Sequence, residues 1–215
     1  MRSRFMKYRL SLLASVLLLS ACAPNQFFEA FQPQYKAQED CGFVQNIYGE
    51  RISWKGQYPI QIQVHESVPA EWYPSIQASL ENWEHVAGKK MFKITNWSAK
   101  GPVNPRQDGV NMIYNMNEWE ANKTTEQART SVYWVGDQIR EFDIRINSKD
   151  FRFYVDVPQN GSEVHLTSLF VHEVGHALGL KHKDTDNSVM ATYLSSNVSR
   201  EQIAATDIKT LACEY

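Results

Sequence analysis

The chain has 215 residues, of which 43% are hydrophobic and 21% charged, and its formal net charge is −2. That is enough for one ordinary globular domain. There is no basic stripe, which argues against a nucleic-acid partner, and no apolar run is long enough to span a bilayer as a helix.

Arg2, Arg4, Lys7 and Arg9 precede a short apolar run over residues 10–19. This is the layout of a targeting segment. The run ends in Leu19-Ser20-Ala21-Cys22, which resembles the lipobox of bacterial lipoproteins. The resemblance implies a signal peptide over residues 1–21 and acyl chains on Cys22. Several such chains together make a firm membrane anchor. It also implies export and attachment to the bacterial cell envelope, with Ala23 favouring the outer membrane. The alternative is an ordinary secretory signal in which Cys22 is incidental.

Residues 22–56 show no clear period and read as a tether and lead-in. The domain proper is expected over residues 57–215. Ile60, Ile62 and Val64 alternate with Gln61 and Gln63, which predicts a half-buried strand. Ile76, Leu80, Trp83 and Val86 fall at three- and four-residue steps. They predict an amphipathic helix that Pro69 starts and Gly88 stops. Further strands are predicted over 92–95 and 110–116, separated by a loop rich in Gly-Pro, Asn-Pro and Asp-Gly pairs. A polar, irregular stretch is expected over 118–127. Residues 130–134 and 142–146 flank Gly136-Asp137 as a hairpin. Residues 151–157 read as a further strand of the sheet or as loop. A second helix over 165–178 is apolar nearly all round, hence buried. A last helix is expected over 199–211, with Ser199 and Gln202 as a capping box and Asp207 on the surface. Cys41 and Cys213 are the remaining cysteines, and an exported pair invites a disulfide.

The second helix carries the chemistry. His172 and His176 are four apart and so lie on one helical face, where two imidazoles can point at one metal. Glu173 is offset and can reach a water beside the metal without being a ligand. Gly179 suits a left-handed residue ending the helix, after which the chain can return to bring in His182. Three nitrogens leave one position of a tetrahedral zinc open, as in a catalytic site. A catalytic Zn2+ is the expected cofactor.

The stretch from His172 to His182 resembles the extended zinc signature of the metzincin metallopeptidases. Met190 is similar to the methionine of their Met-turn, at a spacing like that of the matrixin branch. The resemblance implies an α+β, metzincin-like fold: a twisted mixed five-stranded sheet packed on two long helices, with a C-terminal helix after the Met-turn. It implies a zinc-dependent endopeptidase acting on peptide or protein substrates, with Glu173 as general base and acid. The strand over 130–134 would be the antiparallel edge above the cleft, where peptide could add as one more strand; the alternative is a solvent-facing edge with no partner. Tyr193 lies three residues after Met190 and matches neither the astacin-like nor the matrixin tyrosine, so pocket wall is the reading. Cys41-Gly42 also resembles the position of the matrixin inhibitory thiol, an alternative to the disulfide. His65, His85 and His165 are scattered, so a second zinc site has no visible ligands, and a calcium loop is not evident. Asp184 and Asp186 are either partners that orient His182 or solvated loop acids. A monomer is expected. The reading from another class is a catalytically silent zinc-binding surface lipoprotein.

Overall fold

A computed structural model describes residues 36–185 and 187–215. The segment over 1–21, Cys22, the tether up to residue 35 and Asp186 lie outside the described residues.

Among the described residues, seven strands and three α-helices follow in order: β1 Ile60–His65, α1 Tyr73–Ala87, β2 Phe92–Ala99, β3 Asn111–Met116, β4 Ala128–Val135, β5 Gln138–Asn147, β6 Phe153–Tyr154, β7 Val164–His165, α2 Leu166–Ala177 and α3 Ala205–Leu211. The main sheet is mixed and five-stranded, in the order β2-β1-β3-β5-β4. β1 pairs in parallel with β2 and β3, and β3 in parallel with β5. Only β4 runs antiparallel, paired with β5 across the Gly136-Asp137 turn. This is the α+β architecture expected of a metzincin.

The patterns in the chain explain these elements. In β1, Ile60, Ile62 and Val64 are buried and Gln61 is exposed, the period-two alternation of a sheet with one covered face. In α1, Ile76, Leu80 and Trp83 are buried along one stripe, and Gly88 ends the helix at φ 66°. Pro69 starts a short 3-10 turn, Ala70–Trp72, and Pro74 sits in the first turn of α1 itself. The Trp83 indole donates to the carbonyl of Val171 at 2.9 Å, tying α1 to α2 inside the core.

The structure corrects three expectations and decides between the two readings of residues 151–157. Residues 36–56 are not all tether, because Phe43, Ile52 and Trp54 are buried in the core. Their irregular spacing hid this: they pack on the end of α2 rather than on one face of an element of their own. Residues 151–157 do not extend the main sheet. Their two-residue strand β6 pairs in parallel with β7, in a separate ribbon. The last helix begins at Ala205, so Ser199 and Gln202 form no capping box. Asp207 is its first-turn acid, and it is wholly buried rather than on the surface.

Cys41 and Cys213 are joined by a disulfide across 172 residues of chain, so Cys41 is no free thiol.

Candidate metal centre

α2 is buried on almost every side, and His172, His176 and the third histidine meet where it ends. The ending is a Schellman turn: Leu180 N–H donates to Gly175 O at 3.0 Å and Gly179 N–H to His176 O at 2.8 Å. Gly179 has φ +98°, and a Cβ there would collide with the carbonyl oxygen of Ile52. Only glycine satisfies both conditions. The chain then turns back through Leu180 and Lys181 to His182. The lead-in holds this return segment as a short strap. Val44 N–H donates to Gly179 O at 2.9 Å, Lys181 N–H to Gly42 O at 2.8 Å, and Phe43 bridges to Leu180.

The three side chains converge through one type of atom. His176 Nε2 lies 3.0 Å from His172 Nε2 and 3.1 Å from His182 Nε2. Zinc–nitrogen bonds of about 2.0–2.1 Å in a tetrahedral set place nitrogens roughly 3.3 Å apart, close to this spacing. The proton positions agree. His172 Nδ1–H donates to Val189 O and His176 Nδ1–H to Leu180 O, both at 2.8 Å. A carbonyl can only accept, so each neutral ring turns the lone pair of Nε2 inward. Burial, aided by the neighbouring His176, depresses the pKa of His172 to about 3. Burial also lowers that of His182. These rings resist protonation and suit a cation. The residues present fit a three-histidine zinc site.

Glu173 lies beside the cluster, 4% exposed. Burial raises its pKa above the ordinary carboxylate range. Thr130 of β4 donates its hydroxyl to Glu173 Oε2 at 2.6 Å.

Met190 is buried against α2 opposite the space where a Gly175 side chain would stand. A Cβ on Gly175 would overlap Met190 Sδ and lie 3.0 Å from Trp83 Cζ2. The glycine between His172 and His176 thus lets the methionine turn press against the helix. That turn is tied to the last helix: Asp207 accepts from Ser188 Oγ at 2.6 Å and from Val189 N–H at 2.9 Å. Asp207 is a supporting residue that sequence reasoning placed outside. Its position in the first turn of α3, accepting from Ala204 N–H at 3.3 Å, was the available signal.

A cleft of about 610 Å³ opens over the histidines. One wall is β4, through Thr130, Val132 and Trp134, and the other is Thr192 with Tyr193. Leu169 of α2 adds an apolar surface. β4 is the edge strand of the sheet, with β5 its one partner among the described residues. Tyr193 stands on the rim, a residue 82% exposed. Gln127 reaches across from the start of β4 to donate to Leu194 O at 2.9 Å. Asp184 accepts from Thr192 N–H and Oγ1–H, at 2.8 and 3.0 Å, so its hydrogen bonds brace the cleft wall rather than His182.

Three histidines on a buried helix and its return loop, beneath the antiparallel edge of a mixed sheet and above a methionine turn, define the metzincin class of metallopeptidase. A family model described as matrixin (peptidase M10) matches residues 57–215. The chain therefore belongs to the matrixin family. Matrixins bind zinc and act on peptides and proteins, which supports the class of metallopeptidase hydrolase. No curated protein matches the chain closely.

Proposed function

We propose that this protein is a zinc-dependent endopeptidase in which His172, His176 and His182 hold the metal and Glu173 carries the proton. One observation supports this reading above others: the buried Glu173 carboxylate lies beside three converging Nε2 atoms at the floor of an open cleft. A purely structural zinc site would more often have four protein ligands and no such acid.

When bound, zinc supplies a Lewis acid that polarises the scissile carbonyl and makes water nucleophilic near neutral pH. The chain supplies the rest. The free edge of β4 holds the peptide as an added strand. Glu173 accepts the proton of the attacking water and delivers it to the leaving amine. Burial pushes its pKa up, the direction that helps a base act afterwards as an acid. Tyr193, on the rim, is a wall of the substrate pocket. The two Nδ1–H bonds keep the ligand rings fixed throughout.

We further propose that the chain is a monomeric lipoprotein attached through acylated Cys22 to the bacterial cell envelope, in the outer membrane. The Leu19-Ser20-Ala21-Cys22 sequence supports this.

The test is cleavage of a broad peptide library by zinc-loaded protein. Turnover should vanish with chelator and return with zinc. Glu173→Ala should retain zinc and lose about 10²–10⁴-fold in rate. Stoichiometric zinc without any cleavage would leave the silent zinc lipoprotein as the better reading. Labelling with a radioactive fatty acid, lost in Cys22→Ser, tests the anchor.

A further inference from the structure

We propose that Thr130 is a positioning residue for catalysis: its hydroxyl, fixed on the edge strand, orients the Glu173 carboxylate toward the water. The inference rests on the reading of Glu173 as proton carrier and assigns the device that aims it.

Glu173 is buried, and a carboxylate in that setting must find its hydrogen bonds in the protein. Among the described residues, the one side chain that donates to it is Thr130, at 2.6 Å to Oε2. That is a short charge-assisted bond, roughly twice as strong as a neutral one. Oε1 has no such donor and is left for proton exchange. The same hydroxyl oxygen lies 3.2 Å from the main-chain carbonyl of Glu173, so it sits directly over the residue it orients. The single hydroxyl proton goes to the nearer carboxylate oxygen.

The donor is rigid for two reasons. Thr130 is the third residue of β4, opposite Ile144 in the antiparallel ladder, so its backbone is held by the sheet. Threonine is branched at Cβ, which restricts χ1. The hydroxyl therefore approaches from the cleft wall that would also receive the peptide. One strand then orders both the substrate and the group that transfers its proton. A 1 Å displacement of a reacting group can cost about 10²-fold in rate, so a fixed donor on a buried, otherwise unbonded carboxylate carries a kinetic effect.

The experiment compares wild type, Thr130→Val and Thr130→Ser as zinc-loaded full chains, with zinc stoichiometry and melting temperature measured for each. Valine keeps the branched shape and removes the donor. Its kcat should fall about 10–100-fold, the range expected for losing a hydrogen bond to a charged group, with KM within about 2-fold because the lost bond touches no substrate. Serine should recover most of the lost kcat. If valine lowers stability or zinc content, the serine variant decides: recovery of kcat supports the positioning role, and failure to recover overturns it. Wild-type kcat in Thr130→Val overturns the Thr130 role alone. A zinc-loaded wild type without turnover that depends on Glu173 overturns this inference together with the proposed function.

Discussion

Asp207 and Val189 are joined across the fold: Asp207 Oδ2 accepts from Val189 N–H at 2.9 Å, and the Val189 carbonyl in turn accepts from His172 Nδ1 at 2.8 Å. The last helix therefore reaches His172, a proposed metal ligand, through the single residue Val189. Asp207→Ala leaves Val189 N–H and the Ser188 hydroxyl buried without their acceptor. Each such orphan costs about 1–3 kcal/mol. Denaturant unfolding should show a loss on the order of 3 kcal/mol, and zinc affinity should weaken about 10–100-fold, as for other outer partners of metal ligands. Competition with a chromogenic chelator measures the second effect. Unchanged affinity would mean that Val189 holds its place without Asp207.

Two glycines near the site should respond differently to alanine. At Gly175 the new methyl meets Met190 Sδ, the end of a flexible side chain, and Trp83, which is not free to move. Overpacking of this kind costs about 1–3 kcal/mol and exceeds the gain of about 1 kcal/mol from replacing glycine in a helix. At Gly179 the methyl meets the Ile52 main chain, and φ is +98°. Gly179→Ala should therefore be the more damaging, and it should also lower zinc content, because the turn at Gly179 delivers His182. Thermal melts and bound-metal assays of the two variants test the order. Equal loss of zinc would refute it.

The Cys41–Cys213 disulfide closes a loop of 172 residues in sequence separation. Loop-closure entropy alone assigns such a bond roughly 5 kcal/mol, an upper range seldom reached in practice. Cys41 also adjoins the strap residues Gly42 and Val44, which bond to the return segment before His182. Reduction with a dithiol should lower the melting temperature, and chelators should then strip zinc faster. Stripping rates that are equal in oxidised and reduced protein would show that the strap holds without its covalent pin.

Asp143 on β5 provides a pH test away from the histidine cluster. It is buried, its Oδ2 has no hydrogen-bond partner among the described residues, and burial together with Glu141 and Asp108 pushes its pKa up to about 7. The folded state thus holds this proton more tightly than the unfolded chain, where an ordinary aspartate titrates near 3.8. Stability from this group is fully present below pH 3.8 and is lost as pH rises through about 7. Asp143→Asn keeps the shape without the charge. It should be more stable than wild type at pH 8, by on the order of 3 kcal/mol, and the gain should shrink as pH falls to 5. A gain independent of pH would contradict the linkage.

Much of this was legible in the chain because the signals are local. The alternation of Ile60, Ile62 and Val64 and the helical stripe of Ile76, Leu80 and Trp83 follow the two backbone periods. His172, Glu173 and His176 were readable because one helix turn alone sets their relative positions. Thr130 was not, since nothing in Arg129-Thr130-Ser131 distinguishes it from any other strand threonine. It meets Glu173 only because β4 crosses above α2, 43 residues on in sequence. Phe43, Ile52 and Trp54 were missed for a related reason: each finds its partner far along the chain, with no local period to mark it.

The His172–His182 motif, the order of elements and the kind of metal site were thus determined by the sequence itself, through the fixed geometry of helix, strand and glycine turn. The tertiary structure alone decided which groups surround that motif: Thr130 on the Glu173 carboxylate, Asp207 behind Val189, the strap at Gly42 and Val44, and Tyr193 at the rim of the cleft wall. Those contacts join residues distant in sequence, and packing, not local backbone preference, determines which of them form.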